Sequence, residues 1–506
     1  MRGTLVRLAI IASVAVGGAL SAPPQAVAEK TKNTAKKGEA WAEPREKAWY
    51  ERFWPLGDRV EVKNLKDSYV PFRTEKTEDP EQRLPARPKL AIEVGNGFLD
   101  TGKLDQGFEV PFIGAVWQPR LWAYAINRLT VQSFDNGFSG RERETEIANR
   151  LDLFFNLQLT GTEKILLGLR SLDNNRPDNF TRYTFSGRDE GFNNELNLGV
   201  ETLFFEGDLG SLFPFLDQTG VKAIDYGFTV GRQPLIFQEG ILINDTVDAV
   251  GFIRNNIPFP GTSNFRISAI WGWNRLDRND EARKSKEHMY GLFIAADTHV
   301  STFNFDGIYV RDEDNGDGLY GGFAAIQRLP QWGGISTAFR VNASLALEDE
   351  IPGNVVGNGV LLTGEFSKTV PGSDDILYFN PFLGIGNFTQ AGREAIVGGP
   401  LANTGILFAS PNLSTYLAEI NPFVDDSVIG AAIGYQAFWD NKRRNLILEI
   451  AGRHDLSGEG FDSLGFGFQL QQAVGRYVQL QFEGFYTINE NRDDGAGWRA
   501  EVQIVY

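Results

Sequence analysis

Ile147-Ala148-Asn149-Arg150-Leu151-Asp152-Leu153-Phe154-Phe155-Asn156-Leu157-Gln158-Leu159 splits into two alternating sets: Ile147, Leu151, Leu153, Phe155, Leu157 and Leu159 against Arg150, Asp152, Asn156 and Gln158. Successive side chains of a strand point to opposite faces, so one face of this segment wants lipid or core and the other wants water. The same split recurs in Phe265–Asn274, where Phe265, Ile267, Ala269, Trp271 and Trp273 oppose Arg266, Ser268 and Asn274. In 335–347, Phe339, Val341 and Leu345 oppose Arg340, Asn342 and Ser344. Leu446, Leu448 and Ile450 oppose Glu449 and Arg453, and Val478, Leu480, Phe482, Tyr486 and Ile488 oppose Gln479, Gln481 and Glu483.

A soluble sandwich also alternates, so length has to decide. Several segments alternate over ten or more residues; soluble strands centre on about 5–6, and a tilted strand crossing a bilayer needs about 9–11. Aromatic residues sit near strand ends, at Trp271 and Trp273, Phe438 and Trp439, Phe485 and Tyr486, and Trp498, as interfacial girdles require. Polar stretches such as 173–179, 277–286 and 312–318 separate the strands.

The start of the chain points to the compartment. Arg2 and Arg7 precede the apolar run Leu8–Leu20, and Ala26-Val27-Ala28 follows, the order of a secretory signal peptide cleaved after Ala28. Removing Arg2 and Arg7 leaves 47 of the 49 basic residues against 65 acidic ones, a mature charge of −18. No later segment offers an uninterrupted apolar stretch of the 18 or so residues a spanning helix needs, so a membrane protein with this sequence has to be a barrel. Residues 29–88, dense in Lys, Arg, Glu, Asp and Pro, read as a polar periplasmic leader with one short amphipathic helix around Ala48, Trp49, Tyr50, Phe53 and Trp54. Residues 89–506 are then the barrel.

Composition excludes much else. With 0 Cys among 506 residues there is no disulfide scaffold, thiol chemistry or Cys-ligated metal, and the acidic balance opposes nucleic-acid binding. Glycine at 56 residues, with 38 Phe, 14 Tyr and 10 Trp, suits many strands with tight turns. No phosphate-loop, zinc-helix or nucleophile-elbow spacing is present. His454-Asp455-Leu456-Ser457 puts a histidine near a serine, on a strand running into a Ser-Gly-Glu-Gly turn. Asp312–Gly318 is acidic and glycine-rich enough to hold calcium but misses the EF-hand register. The chain is therefore expected to be non-enzymatic, without cofactor or metal.

The chain ends on Trp498, Ala500, Val502, Ile504 and Tyr506, alternating with Arg499, Glu501, Gln503 and Val505. This resembles the terminal strand of bacterial outer-membrane barrels, whose final aromatic is read by the barrel assembly machinery. The resemblance implies outer-membrane lipid and that machinery as partners. At roughly 20–25 residues per strand and connection, the 418 residues from 89 to 506 give an all-β transmembrane antiparallel β-barrel of about 18 strands, range 16–20. So wide a ring cannot be filled by side chains alone and holds a channel, open or plugged by loops. The Gly-, Pro- and Asn-rich stretch Pro381–Asp425 is the expected inward-folded loop.

Parity puts Arg150, Arg170, Arg266, Arg340, Arg453 and Arg499 on the water-facing side with Asp152, Glu195, Glu201, Glu449 and Glu501. Several arginine forks in one pore would hand an anionic solute between weak sites, or simply pair with carboxylates across strands. One further segment, Phe228-Thr229-Val230-Gly231-Arg232-Gln233-Pro234-Leu235-Ile236-Phe237-Gln238-Glu239-Gly240-Ile241-Leu242 followed by Val247-Asp248-Ala249-Val250, resembles the Gly-Arg-Gln strand, acidic turn and Asp-containing strand of the alginate export porin family. Gln238 stands there for a usual Gly, Glu239 for a usual Asp and Ile241 for a usual Arg. The resemblance implies pore roles for Arg232, Gln233, Glu239 and Asp248 and an anionic polysaccharide as cargo. The expected function is passive outer-membrane transport of an anionic or sugar-like solute. A general or nutrient-uptake porin and an outer-membrane hydrolase are the alternatives.

Overall fold

The computed structural model describes residues 89–506, apart from short stretches of which the longest are 99–106, 174–179, 217–224, 279–286 and 348–354. The expected signal peptide and leader, 1–28 and 29–88, lie outside the described residues. Eighteen antiparallel wall positions close into one ring: β1 Arg120–Asp135, β2 Glu144–Gln158, β3 Lys164–Arg170, β4 Gly199–Asp208, β5 Tyr226–Phe237, β6 Ile243–Arg254, β7 Asn264–Asn274, β8 His288–Asp297, β9 Ser301–Arg311, β10 Gly318–Leu329, β11 Ile335–Ala346, β12 Gly359–Thr369, β13 Ile376–Gly386, β14 Val428–Trp439, β15 Arg444–Asp455, β16 Ser463–Val474, β17 Val478–Asn489 and β18 Gly495–Val505. The ring closes where β18 pairs with β1, from Ala496↔Asp135 to Val505↔Ile126. Both the barrel and the strand number match the expectation.

The alternation of the sequence becomes the inside and outside of this wall. Leu292, Phe305, Phe339, Val341, Leu448, Ile450, Phe482 and Trp498 are exposed on the outer face, while Arg340, Asn342, Glu449, Arg453, Arg499 and Glu501, on the opposite parity, are buried inside. A water-soluble sandwich would hide the first set, and only lipid tolerates it uncovered over a whole ring. Connections at the end carrying Tyr506 are mostly short, such as 298–300, 440–443 and 475–477, whereas the opposite end carries the long ones. In barrels of this class the short turns face the periplasm.

Two wall positions are irregular. The lower half of β2 pairs with β3 (Asp152↔Arg170 to Gln158↔Lys164), and its upper half pairs with a separate strand, Thr181–Ser186 (Asn149↔Thr181 to Thr145↔Ser186). The wall begins at Arg120. Residues before it form Ile92–Val94, which takes up the edge of β1 at Leu121–Ala123 just past the chain's end, and a hairpin of Phe108–Glu109 with Val116–Trp117. The expected inward loop is also displaced. Pro381 lies in β13 opposite Ala431, and the ladder between β12 and β13 skips from Thr363↔Phe382 to Phe366↔Phe379, because proline has no N–H to give. The loop itself is 387–427.

Candidate functional site

Strands β5 and β6 begin in the wall and leave it. β5 pairs with β4 from Gly227↔Asp208 only as far as Arg232↔Leu203, and β6 pairs with β7 only between Asp248↔Asn274 and Arg254↔Ile267. Beyond these points the two strands remain paired with each other, from Gln233↔Val247 to Phe237↔Ile243, so the hairpin tip turns into the lumen as one ribbon. The turning point is Gly231, at φ 123°, where a Cβ would stand 2.3 Å from the Leu203 carbonyl oxygen. Only glycine fits that backbone at that approach.

The residues that resemble the alginate export motif build this hinge. Arg232 donates from Nε and Nη2 to both oxygens of Asp248 (2.8 and 3.1 Å) and from Nη1 to the Val200 carbonyl (2.8 Å), while Asn274 donates to Asp248 (2.7 Å). Arg275 reaches the same strand end, lying 3.6 Å from Glu201. The polar backbone edge that the departing hairpin leaves on β4 is thus met by guanidinium groups. Arg232 and Asp248 share the parity of Val230 and Phe252, whose side chains are exposed on the outer face. They fill a seam in the wall, so the expectation that they line the pore is corrected. Gln233 is buried and donates to the Ala249 carbonyl.

Loop 387–427 fills the lumen from the other side. Its segment around Arg393 adds to the hairpin as a short parallel bridge at Asn244, with Asn244 N–H donating to Gly392 and Ala391 N–H to Leu242. Gln390 donates to the Gly240 carbonyl (2.5 Å) and Asn403 to the Glu239 carbonyl (2.6 Å). Leu401, Leu407, Phe408, Ile420 and Val424 form an apolar core with Ile241 of the hairpin and with Leu361 and Phe382 of the wall. Leu407 packs over Gly467, where a Cβ would come within 2.8 Å of it. The loop then reaches the far wall: Gln132 donates to the Leu413 carbonyl, and Thr415 donates to Glu144 (2.6 Å).

Several of the expected pore residues hold this loop. Glu449 accepts from the Ile406 and Leu407 N–H groups (2.9 Å each) and from the Tyr378 hydroxyl. Arg453 donates to the carbonyls of Asn421 (2.9 Å) and Phe423. Arg340, almost wholly buried, lies between Glu239 at the hairpin tip (2.5 Å) and Glu365 of β12. Arg499 sits between Glu483 (3.3 Å) and Glu501. All four face inward as parity requires, but they are buried under loop, hairpin or ion partner.

Space remains on both sides of the hairpin. A chamber of about 260 Å³ lies between it and β1–β4, lined by Arg150, Asp152, Phe154, Arg170, Glu201, Asn244, Asp245 and Glu394. Here Asp152 accepts from Arg150 (2.9 Å) and Arg170 (3.3 Å), so these three expected residues do come together. A second chamber, of about 420 Å³, is lined by Ile236, Gln238, Glu239, Arg266, Phe293, Asn304, Asp306 and Arg340. Arg266 is exposed there, and Gln238 donates to Asp306 (2.6 Å). A third, of about 390 Å³, lies towards the short-turn end between Glu239, Arg328 and Glu365.

Asp245, Glu394, Asp306, Glu365 and Arg128 belong to this constellation and were not singled out from the sequence. Arg128 donates to both oxygens of Glu501 (2.8 and 2.9 Å), and the alternation of 120–135 was the signal for it. The others become neighbours only because the hairpin and loop turn inward. In the 312–318 turn, Asp312 accepts from the Asp314 and Asn315 N–H groups and faces Arg278 (3.3 Å), and Asp317 accepts from the Asp312 N–H. The Asp312 and Asp317 carboxylates are engaged by the protein itself. His454 Nδ1 lies 2.7 Å from Asp462, and the Ser457 hydroxyl is turned to Asp455.

No family model and no curated protein matches the chain. Solved structures do. OccAB3 of Acinetobacter baumannii superposes with a TM-score of 0.51 at 11% identity, covering 76% of this chain and 99% of that one. OccK2 (OpdF) of Pseudomonas aeruginosa gives 0.50 at 12%, covering 76% and 97%, and a BenF-like porin from Pseudomonas fluorescens Pf-5 gives 0.50 at 10%, covering 76% and 99%. At such identities the likeness concerns the fold: a closed barrel of the bacterial outer-membrane porin kind, and the outer membrane is where this chain resides. None of these similar structures is named as an alginate export porin, so the comparisons support the porin barrel fold and not that family.

Proposed function

We propose that the chain is a passive, solute-selective uptake channel for a small hydrophilic molecule. The observation that carries this is the meeting of hairpin 233–247 and loop 387–427 inside the ring, which divides the lumen into chambers of about 260 to 420 Å³. Pockets of roughly 300–1,000 Å³ suit single small molecules. A polysaccharide exporter needs a continuous bore, and the motif that suggested one is spent here on the hinge. The nutrient-uptake alternative therefore fits better than alginate export.

Charge refines the solute. In the first chamber Arg150 and Arg170 face Asp152, Glu201, Asp245 and Glu394, and in the second Arg266 and Arg340 face Glu239 and Asp306. With each guanidinium answered by carboxylates, the lumen has no strong preference for a bare anion, and a sugar-like solute suits it better. The same reading takes the chain as non-catalytic, since the Ser457 hydroxyl is directed at Asp455 rather than at His454. Outer-membrane lipid and, through Trp498–Tyr506, the barrel assembly machinery are the proposed partners.

Liposome swelling tests the reading. Reconstituted protein should admit monosaccharides quickly and exclude long oligosaccharides. Long uronate or glucan oligomers entering as fast as monosaccharides would overturn it, as would a complete lack of conductance.

A further inference from the structure

Below loop 387–427, the inner face of β14–β17 carries side-chain amides in a row. Gln436 donates to Asn445 (3.5 Å), Asn445 to Gln471 (3.2 Å), Gln471 to Gln481 (3.0 Å), and Gln481 to Glu483 (3.0 Å), where Gln469 also donates (3.0 Å). Glu483, held by Arg499, can only accept when ionised. That fixes which way the Gln481 and Gln469 amides face, and through them the sense of the whole chain. The links from strand to strand run the same way around the wall, while Gln481 to Glu483 runs along β17 and the second Gln471 N–H turns back along β16 to the Gln469 carbonyl (3.4 Å).

The row is half-buried and open to the lumen. Gln471↔Gln481 lies three pairs above the Val474↔Val478 turn, about 10 Å up from the short-turn mouth at about 3.3 Å per residue. Each primary amide has two N–H donors and a carbonyl with two lone pairs. After the bonds above, Gln469, Gln481 and Asn445 each keep an N–H, and Gln436 keeps an N–H and its carbonyl oxygen. These free N–H groups, on strands about 4.8 Å apart, together with the second lone pairs of amide carbonyls that accept only one bond, can meet both the oxygens and the O–H groups of a polyol. They carry no net charge to desolvate.

We propose that Gln436, Asn445, Gln469, Gln471 and Gln481 form a binding site for neutral polyhydroxylated solutes, sugars or polyols, at the periplasmic side of the constriction. The site rests on the channel reading and names the solute class it would take. Continuity with the charged chamber follows from register: Gln481 is opposite Glu501, Glu501 is held by Arg128, and Arg128 is opposite Arg150.

The test is block of single-channel current by D-glucose or maltose added at the short-turn side, each variant scored against its own open current. Polyethylene glycol of matched size serves as the steric control. In the native chain sugar should block more strongly than the polymer. Q469M/Q471M/Q481M, which keeps side-chain length and removes the amides, should weaken the sugar's apparent affinity by about tenfold or more and leave the polymer's effect as it was. Should that variant fail to insert, E483Q is the second arm. A neutral amide at the end of the row no longer sets its direction, and block should weaken there too. Sugar block equal to polymer block in the native chain, or unaltered in both variants, overturns the site while leaving the channel reading standing. Absent conductance in every protein would instead defeat the channel reading.

Discussion

Hairpin 233–247 and loop 387–427 enter the same lumen by different physics. The hairpin keeps its ladder throughout and changes direction at one glycine, with Arg232, Asp248, Asn274 and Arg275 sealing the wall behind it. The loop has almost no regular structure of its own. It is held by an apolar core and by wall groups such as Glu449 and Arg453 that satisfy its backbone N–H and carbonyl groups. A continuous ribbon needs fixing only at its base; an irregular segment has to be fixed along its length, because its backbone groups must find partners one by one.

Removing residues 389–425 should therefore give the largest effect, a conductance several-fold above the native value, since an emptied lumen conducts like an unplugged barrel. If conductance hardly changes, the hairpin alone sets the constriction and the two regions are not equal partners. Next comes the hinge. Gly231→Val places a Cβ 2.3 Å from Leu203 O at a φ of 123°, and the local cost should be about 1–3 kcal/mol or more, read in urea unfolding. An unaffected midpoint would mean that the hairpin does not turn at this residue.

Charge gives an intermediate effect. Arg150, Arg170 and Arg266 replaced together by Ala would strip Asp152 of both its guanidinium donors and remove positive charge beside Glu201 and Asp306, so the reversal potential in a salt gradient should move towards cation selectivity. No movement would take these arginines off the conducting path. The smallest effect concerns loop packing alone. Burial, with the Glu483 charge next, holds the Glu419 carboxyl in the loop well above the usual carboxylate range. A raised folded-state value contributes stability that is fully present below the unfolded value of about 4.3 and lost as pH rises through the folded one. Current flicker from loop movement should grow with rising pH and become flat in Glu419→Gln. Flicker that grows on acidification would reverse the assignment.

The two regions also differ in how well the sequence announces them. The wall was legible from residues such as those of 147–159 because alternation and exposure are the same fact in a barrel. The loop was legible from its Gly, Pro and Asn content, apart from its start, because Pro381 is tolerated where the β12–β13 ladder is interrupted. The hairpin was not. Its residues alternate on either side of Gly231 as any wall strand does, and nothing in Arg232 or Asp248 says that they seal a seam instead of lining a pore. Similarly, inward parity identified Arg340, Glu449 and Arg453, but what covers them depends on segments distant in the chain.

The meeting of the two inward segments can be measured directly, because the native chain has 0 Cys and an introduced pair has no competing thiol. Asn403 donates to the Glu239 carbonyl at 2.6 Å. E239C/N403C in the folded, lipid-embedded barrel should therefore be joined by a short bifunctional maleimide, detected as one cross-linker bound per chain and the loss of both thiols to later labelling. Two thiols that each take up a separate cross-linker and stay unjoined, in a barrel shown to be folded by its heat-modifiable mobility, would contradict a lumen divided by hairpin and loop together.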